Sequence, residues 1–294
     1  MIVELSTQDF ARTASLFRAY EYEMSLLGAV LEGSTPSRIW VDDYAAPRTA
    51  FVCITGMFQY VAGGGPAQPA FLKAMWHIVQ HDVLAAIPNP ADRFLLLRGC
   101  SPDWNSLLDG FIRKKRGITW SRKLLQFNRP QFETHCRKQS GLPEGYTLCP
   151  MSGPLLESGT LHDMKLHTWS SPEAFLSKGV GMCVMRDETV VSECSTFFVG
   201  HHQAELSVYT SEDFRQQGWG TRAAAACIQR CLERGLAPTW SCWTTHTGSR
   251  ALAARLGFDD VCEVPVYCWR KHLRSPLWKR GIRKLLAMKR RFGQ

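Results

Sequence analysis

The amino-acid sequence predicts an α/β fold, in which helices cover a β-sheet, and it places the centre of that fold in the second half of the chain. Residues 205–210 (ELSVYT) partly alternate apolar and polar side chains, as a half-buried strand does. A glycine-containing loop at 215–220 and an alanine-rich helix at 221–234 follow directly. A similar order of strand, glycine break and helix occurs in the first half. Hydrophobic residues make up 45% of the chain, which indicates a globular protein with a core.

The elements of the first half are predicted from the spacing of apolar residues. Residues 7–31 place Phe10, Ala14 and Phe17 at helical spacing, whereas residues 40–61 hold two apolar runs on either side of a glycine, as paired strands do. Glycines and a proline at 63–66 then interrupt the pattern. Beyond this break we expect a helix over 71–87, a strand over 93–98, a helix over 104–112 and a strand over 121–127.

The second half begins after residues 129–143, whose prolines, glycine and polar residues make them the best candidate for a linker. One predicted helix starts at Ser171, which can cap it, with Pro172 in the first turn. The other elements, in order, are a strand near 146–149, a helix over 155–169, a hairpin of 181–186 and 190–199, a strand over 239–244, a helix over 249–256 and a last strand over 261–269. Gly235 stands where the central helix needs a left-handed residue to end.

The loop at 215–220 (RQQGWG) is a candidate anion site. Because it leads into a helix, its backbone N–H groups and the positive end of the helix dipole can face one ligand. Gly218 and Gly220 would let a phosphate approach the main chain, and Arg215 would add charge-assisted hydrogen bonds. The loop lacks the Lys-Ser/Thr pair of a Walker loop and the third glycine of the dinucleotide fingerprint. A pyrophosphate is the expected guest, although such loops also occur in folds that bind no phosphate.

Residues 214–221 (FRQQGWGT) resemble the acetyl-CoA loop of the GNAT superfamily of N-acetyltransferases, whose pattern is Arg/Gln-x-x-Gly-x-Gly/Ala. The segments 231–242 and 249–258 add to the likeness and are similar to the branch that includes the zwittermicin A resistance acetyltransferases. The resemblance covers about residues 146–269. It implies a GNAT fold with a mixed central sheet and transfer of an acetyl group from the cosubstrate acetyl-CoA to an amine.

The resemblance also implies roles for individual residues. In GNAT enzymes the central strand splays from its neighbour, its exposed backbone pairs with pantetheine, and an acid on that strand often serves as the base. By position that acid is Glu205. The alternative is that Glu205 is only a solvated residue at the end of the strand, without a catalytic role. The expected cofactor-binding residues are Val208, Tyr209, Thr210, Arg215, Gln216, Gln217, Gly218, Trp219, Gly220, Thr221 and Ser249.

Two departures from the family pattern affect the expected chemistry. The tyrosine that many GNAT enzymes use as an acid is Ala253 here, so no family acid can be carried over. In addition, Trp240-Ser241-Cys242 leads into a loop with extra residues, where the related branch has an asparagine before the helix. Histidine side chains in general change charge near neutral pH, so His246 in this loop is a second candidate catalytic residue, as acid or base. A solvated histidine without a role is the alternative.

The predicted domains follow the chain. An N-terminal domain (1–135), a linker (136–145), a catalytic domain (146–270) and a tail (271–294) are expected. The repeated element order suggests that the N-terminal domain is a degenerate GNAT-like half, which lacks the acetyl-CoA loop. A family-specific α/β cap without common ancestry is the alternative.

The tail is the source of the positive charge. Residues 271–294 hold nine Lys and Arg residues and no acid, which equals the formal net charge of +9 of the chain. As a helix the tail would be basic and amphipathic, so it could contact nucleic acid or an anionic membrane, or dock on the body with a solvated basic face. No membrane span or signal sequence is recognisable, and a cytoplasmic protein is expected. The odd number of cysteines, in apolar segments, favours free thiols over disulfides or a metal site.

The sequence therefore predicts an N-acetyltransferase whose substrate is a small amino-bearing metabolite or antibiotic. One alternative is acetylation of a larger anionic target, such as aminoacyl-tRNA or a protein, recruited by the tail. The other is a protein that senses acyl-CoA or binds nucleic acid without turnover. The oligomeric state is not predicted.

Overall fold

A computed structural model of the 294-residue chain describes residues 2–54, 58–64, 68–88, 93–136, 141–157 and 168–270, without the side chains of residues 135 and 136. The predicted tail (271–294) and most of the helix predicted over 155–169 lie outside these residues. The chain divides into two compact units. Unit 1 holds residues 2–21, 30–122 and 264–270, and unit 2 holds residues 22–29 and 123–263. Each unit thus combines segments that are far apart in the sequence.

The first half of the chain contains the predicted elements, with one break. A 3-10 helical segment (Thr7–Glu23) has non-helical backbone at Tyr20 (φ −102°, ψ 35°), so the helix predicted over 7–31 is two helices. The break falls at a buried side chain whose hydroxyl donates to the carbonyl of Val61 (3.1 Å). The elements are β1 (Val3–Glu4), that segment, α1 (Met24–Leu31), β2 (Ser37–Val41), β3 (Thr49–Ile54), β4 (Gln59–Gly63), α2 (Gln68–Ile78) with a π-helical turn (Val79–Val83), β5 (Phe94–Gly99), α3 (Pro102–Lys114) and β6 (Ile118–Phe127).

The second half contains the predicted hairpin, central strand and central helix. Ser171 caps its helix as expected, because its Oγ accepts a hydrogen bond from the backbone N of Ala174 (3.2 Å). Gly235 has the predicted left-handed backbone (φ 69°). The elements are α4 (Arg129–Cys136), β7 (Tyr146–Pro150), α5 (Gly153–Glu157), α6 (Pro172–Lys178), β8 (Gly181–Arg186), β9 (Thr189–Gly200), β10 (Gln203–Thr210), a 3-10 turn (Glu212–Phe214), α7 (Trp219–Glu233), β11 (Ala237–Trp243), α8 (Thr247–Arg255) and β12 (Phe258–Arg270).

The interpretation of residues 129–143 as a linker is wrong for their first half, which forms α4. Asn128 starts this helix, since its Oδ1 accepts from the N–H of Gln131 (3.3 Å) and its carbonyl accepts from the N–H of Phe132 (3.1 Å). Pro130 lies in the first turn, where an N–H is not required. Phe132 is buried against Phe127, with ring centroids 5.5 Å apart. Capping and aromatic burial therefore outweigh the turn-forming composition.

Unit 1 contains a sheet in the order β1-β2-β3-β4-β5-β12. Neighbours are antiparallel except for β4 and β5, which are parallel and connected through α2. The end of β12 pairs with β5, with Tyr267 opposite Leu97. Trp104 on α3 is fully buried in the core of this unit and donates from its indole N–H to the carbonyl of Gly63 (2.8 Å).

Unit 2 contains a mixed open sheet in the order β6-β11-β10-β9-β8-β7. β10 and β11 are parallel and connected through α7, while the β7, β8, β9 and β10 pairs are antiparallel. The small buried side chains of Ala223, Ala224 and Cys227 let α7 approach one face of the sheet, where they pack with Ala204 and Leu206. This packing fixes the position of the N-terminus of α7 at the end of β10.

A glycine contact joins α1 to the β9–β10 hairpin within unit 2. A Cβ added at Gly200 would lie 2.0 Å from the backbone N of Ala29 and 2.4 Å from the carbonyl carbon of Gly28. The methyl group would overlap backbone atoms, which cannot move aside as a side chain can. Only glycine at position 200 therefore lets the helix approach the hairpin this closely.

We expect Gly200→Ala to lower the free energy of unfolding by about 1–3 kcal/mol, the usual cost of overpacking. Gly110→Ala on α3 is a matched control, because a Cβ there meets nothing within 4 Å and should stabilise the helix by about 0.5–1 kcal/mol. Urea unfolding followed by circular dichroism measures both changes. An unchanged midpoint for Gly200→Ala would contradict the close contact.

Candidate active site

β10 and β11 separate after three paired residues, which opens a cleft in the sheet of unit 2. The parallel pairs are Gln203 with Ala237, Ala204 with Pro238 and Glu205 with Thr239. Within this fully described stretch, β10 continues to Thr210 and β11 to Trp243 without further pairs. On its other side β10 pairs with β9 up to Thr210. The backbone of β10 from residue 206 to 210 therefore faces the cleft, where the sequence predicted backbone contacts from Val208, Tyr209 and Thr210.

The corresponding strands of unit 1 do not separate in this way. β4 and β5 pair up to Gly99, the last residue of β5, which lies opposite Val61. The N–H of Cys100 then donates to the carbonyl of Val61 (3.2 Å), and the hydroxyl of Tyr20 donates to the same oxygen (3.1 Å). Among the described residues, the cleft between parallel strands belongs to unit 2.

The N-terminus of α7 lies at the open end of β10 and presents backbone donors. The first intrahelical bond is from the N–H of Arg222 to the carbonyl of Gly218 (3.2 Å). The N–H groups of Trp219, Gly220 and Thr221 precede it and have no hydrogen-bond partner among the described residues. Such groups, together with the helix dipole, form a binding site for an anion.

The two glycines of the loop have different roles. Gly218 has a left-handed backbone (φ 84°), and a Cβ there would meet nothing within 4 Å, so it leaves open space at the helix start. At Gly220 a Cβ would lie 3.1 Å from Oγ1 of Thr210 and 3.5 Å from Cγ1 of Val208. Gly220 therefore allows α7 to pack against β10, whereas the sequence interpretation gave both glycines the role of making room for a phosphate.

Side chains of the loop hold its conformation. The Nε of Arg215 donates to the carbonyl of Thr210 (3.2 Å), and its Nη1 lies 3.5 Å from Oε1 of Glu212. Gln217 donates to the carbonyl of Asp213 (3.2 Å) and accepts from the indole N–H of Trp219 (3.1 Å). The Trp219 ring is buried and stacks on Tyr146, with centroids 4.1 Å apart. Gln216 is exposed with a positive φ (62°), and Thr221 is half-buried.

Glu205 lies where the strands separate and has a partner that the sequence interpretation missed. The hydroxyl of Ser241 on β11 donates to Oε1 of Glu205 (2.5 Å). Both side chains are only partly buried. Part of this contact could be predicted from the sequence, because alternation along β11 places Thr239 and Ser241 on one face. The structure adds that the parallel register places Thr239 opposite Glu205. The register itself could not be read from the sequence.

The other predicted residues lie along or beyond β11. His246 immediately precedes α8, after the end of β11, whereas Glu205 is opposite Thr239 near the start of that strand. Ser249, in the first turn of α8, accepts a hydrogen bond from the indole N–H of Trp240 (3.1 Å). Ala253 is fully buried in the core, so the position of the family tyrosine carries no polar group here.

Two thiol groups of α7 are buried in the core of unit 2. Cys227 and Cys231 on α7 are fully buried, and a hydrogen bond between Cys231 and Cys227, together with burial, raises the pKa of Cys231 well above its usual range. The thiolate is the reactive form of cysteine. Cys231 is therefore a poor nucleophile.

A family model described as GNAT acetyltransferase matches residues 14–267. The chain belongs to the GNAT acetyltransferase family. It is thus an N-acetyltransferase, and GNAT acetyltransferases use acetyl-CoA as the cosubstrate. The GNAT fold, with a mixed open sheet and helices, is confirmed.

One curated relative and two solved structures are similar to most of the chain. The uncharacterized N-acetyltransferase YdfB of Bacillus subtilis is 27% identical over 276 residues, which is 91% of this chain and 98% of YdfB. A GCN5-related N-acetyltransferase-like protein of Streptococcus suis has a TM-score of 0.67 at 23% identity, covering 89% of this chain and 98% of its own. A tandem GNAT protein from the clavulanic acid biosynthesis pathway has a TM-score of 0.61 at 12% identity, covering 92% of this chain and 98% of its own.

The residues of the cleft fit acetyl-CoA. The N–H groups of residues 219–221 have no partner in the part of the chain that the structure describes and can bind a pyrophosphate, with open space at Gly218. The unpaired edge of β10 can bond the amides of pantetheine as a neighbouring strand would. Bound there, acetyl-CoA would supply an activated acetyl group.

The described residues include no group of three or more His, Cys, Asp or Glu residues placed to hold a metal ion. In the part of the chain that the structure describes, no helix has the length and apolar character to cross a membrane.

Proposed function

We propose that unit 2 transfers the acetyl group of acetyl-CoA to a primary amine by direct attack, with Glu205 as the base. One observation carries the proposal: the cleft between β10 and β11 has Glu205 where the strands separate and the unpaired N–H groups of α7 at its other end. Glu205 can thus act as a base near the acetyl end of acetyl-CoA, and the N–H groups of α7 can bind its pyrophosphate.

Glu205 accepts a proton from the attacking ammonium or amine, so that the nitrogen lone pair can form the new C–N bond. As that bond forms, the C–S bond breaks and the thiolate leaves. A backbone N–H along the open edge of β10 can stabilise the charge that develops on the carbonyl oxygen. His246 can supply the proton that the thiolate takes up, since a histidine titrates near neutral pH.

For the acceptor, a small amino-bearing metabolite or antibiotic is proposed. The sequence likeness to the zwittermicin A resistance acetyltransferases supports it, and one structural neighbour is named after the clavulanic acid biosynthesis pathway. The alternative is a larger anionic target, such as aminoacyl-tRNA or a protein, recruited by the basic residues 271–294. Contact of that segment with nucleic acid or an anionic membrane belongs to this alternative.

The N-terminal domain (1–135) is proposed to be a degenerate GNAT repeat. In each half an antiparallel hairpin leads into two parallel strands connected through a helix: β2 to β5 in one and β8 to β11 in the other. A further helix and strand then follow, α3 with β6 and α8 with β12. The likeness to a tandem GNAT protein supports the same interpretation. Because β4 and β5 remain paired, the repeat is expected to bind no acetyl-CoA.

The test is calorimetric titration of the full chain with acetyl-CoA, followed by measurement of thiol release in the presence of primary amines. We expect one binding site per chain and thiol release that requires both acetyl-CoA and an amine. Binding at two sites would contradict the assignment to unit 2. Lack of binding would overturn the proposal.

A further inference from the structure

Two histidines lie side by side on the exposed face of α2 and of the π-helical turn that continues it. The opposite face of this segment belongs to the core of unit 1, where Met75, Trp76 and Val79 are buried. His77 and His81 are four residues apart and are both exposed. Their ring centroids are 4.4 Å apart, with the ring planes tilted by 36°. The two imidazoles are therefore neighbours, although the solvent around them would let them separate.

The backbone between the two histidines changes its helical form. α2 ends at Ile78 and the π-helical turn covers Val79–Val83, so His77 belongs to the α-helix and His81 to the turn. π-Helical turns are rare and frequently occur at functional sites. A ligand bound by both rings would connect the α-helix to the π-helical turn.

An ion pair with β2 holds the turn that carries His81. Both carboxylate oxygens of Asp82 accept hydrogen bonds from Arg38 (2.9 and 2.8 Å). Arg38 also donates to both oxygens of Glu4 (2.7 and 2.6 Å). Because its oxygens bind Arg38, Asp82 is not counted as a third metal ligand. The site thus offers two nitrogen donors, in agreement with the absence of larger metal-binding groups from the described residues.

Two adjacent imidazoles suit a divalent transition-metal ion. Imidazole nitrogen is a ligand for Zn²⁺, Cu²⁺ and Ni²⁺. A Zn–N bond is about 2.0–2.1 Å long, so two nitrogens on one ion lie at most about 4.2 Å apart. Since the nitrogens are at the ring edges, rings with centroids 4.4 Å apart can each bring one nitrogen within this limit. The geometry of the pair therefore allows both rings to bind the same ion.

We propose that His77 and His81 together bind one divalent transition-metal ion, with water at its remaining positions, and that the ion stabilises the end of α2. Both histidines belong to unit 1, whereas the cleft between β10 and β11 belongs to unit 2. The inference therefore goes beyond the proposed function and does not depend on acetyl transfer.

The test is calorimetric titration of the full chain, with its thiols reduced, with Ni²⁺. This ion is chosen because thiolates compete strongly for Zn²⁺. Two linked donors bind more tightly than either alone, so we expect His77→Gln and His81→Gln each to weaken binding at least about tenfold. The control is His202→Gln, which removes an exposed histidine of the β9–β10 turn and should keep the wild-type affinity. Lack of binding by the wild-type chain, or unchanged affinity in either α2 variant, would overturn the inference.

Two further measurements identify the ligands and the effect of the ion. Ni²⁺ should slow the modification of His77 and His81 by diethyl pyrocarbonate, mapped by mass spectrometry, and leave that of His202 unchanged. Ni²⁺ should also raise the urea midpoint of the wild-type chain but not of His77→Gln, because a ligand that binds only the native state stabilises it. Protection of other histidines without this pair would overturn the assignment, and equal midpoint shifts in the two chains would overturn the stabilising role.

Discussion

Glu205→Gln should lower kcat about 10²–10⁴-fold, the usual contribution of a positioned general base. The amide has nearly the shape of the carboxylate and can still accept the bond from Ser241, so the fold and the affinity for acetyl-CoA should not change. Single-turnover thiol release with a primary amine that the wild-type chain acetylates measures the loss, and calorimetry measures the affinity. Unchanged turnover across the pH range would show that another group removes the proton.

A second variant tests whether Ser241 acts through its hydrogen bond to the carboxylate of Glu205. Ser241→Ala keeps the carboxylate and removes the hydroxyl that donates to it at 2.5 Å. A hydrogen bond to a charged carboxylate favours the charged form, so its loss should move the acidic limb of the kcat/KM profile to higher pH. A purely structural role for Ser241 would lower activity equally at every pH. The Glu205→Gln variant, which has no carboxylate, should lack this limb.

Gly218→Asp should weaken acetyl-CoA binding at least about 100-fold, because it places a negative charge beside the N–H groups that we expect to bind the pyrophosphate. Two like charges about 4 Å apart near a protein surface repel by about 4 kcal/mol. Space is available for the side chain, since an added Cβ meets no atom within 4 Å. Asp also tolerates a left-handed backbone better than most residues, so the variant should fold.

The matched control is Gly218→Asn, which has the same shape and the same backbone strain without the charge. We expect its affinity for acetyl-CoA to remain within about tenfold of wild type, as measured by calorimetry. Equal losses in the two variants would mean that shape and not charge causes the effect. Wild-type affinity in both would place the pyrophosphate away from the start of α7.

Several elements follow from local patterns and were predicted correctly. The helix cap at Ser171, the left-handed Gly235 and the hairpin at Asp187 and Glu188 depend on residues close in sequence. The predicted central helix, 221–234, differs by two residues at its start from α7, which begins at Trp219. The prediction of a linker at residue 129 was wrong because burial of Phe132, a tertiary contact, stabilises α4.

The sequence by itself predicted the central strand–loop–helix, because it depends on the order and spacing of nearby residues. The resemblance of its loop to the GNAT superfamily implied the family and Glu205 as the candidate base. Only the tertiary structure decided where β10 and β11 separate, that Ser241 bonds Glu205 and that Gly220 packs on β10. It also decided that β12 pairs with β5 and that β6 lies beside β11. The physical reason is that strand pairing and register are set by partners far along the chain, and a local period of two or 3.6 residues carries no information about which partner is chosen.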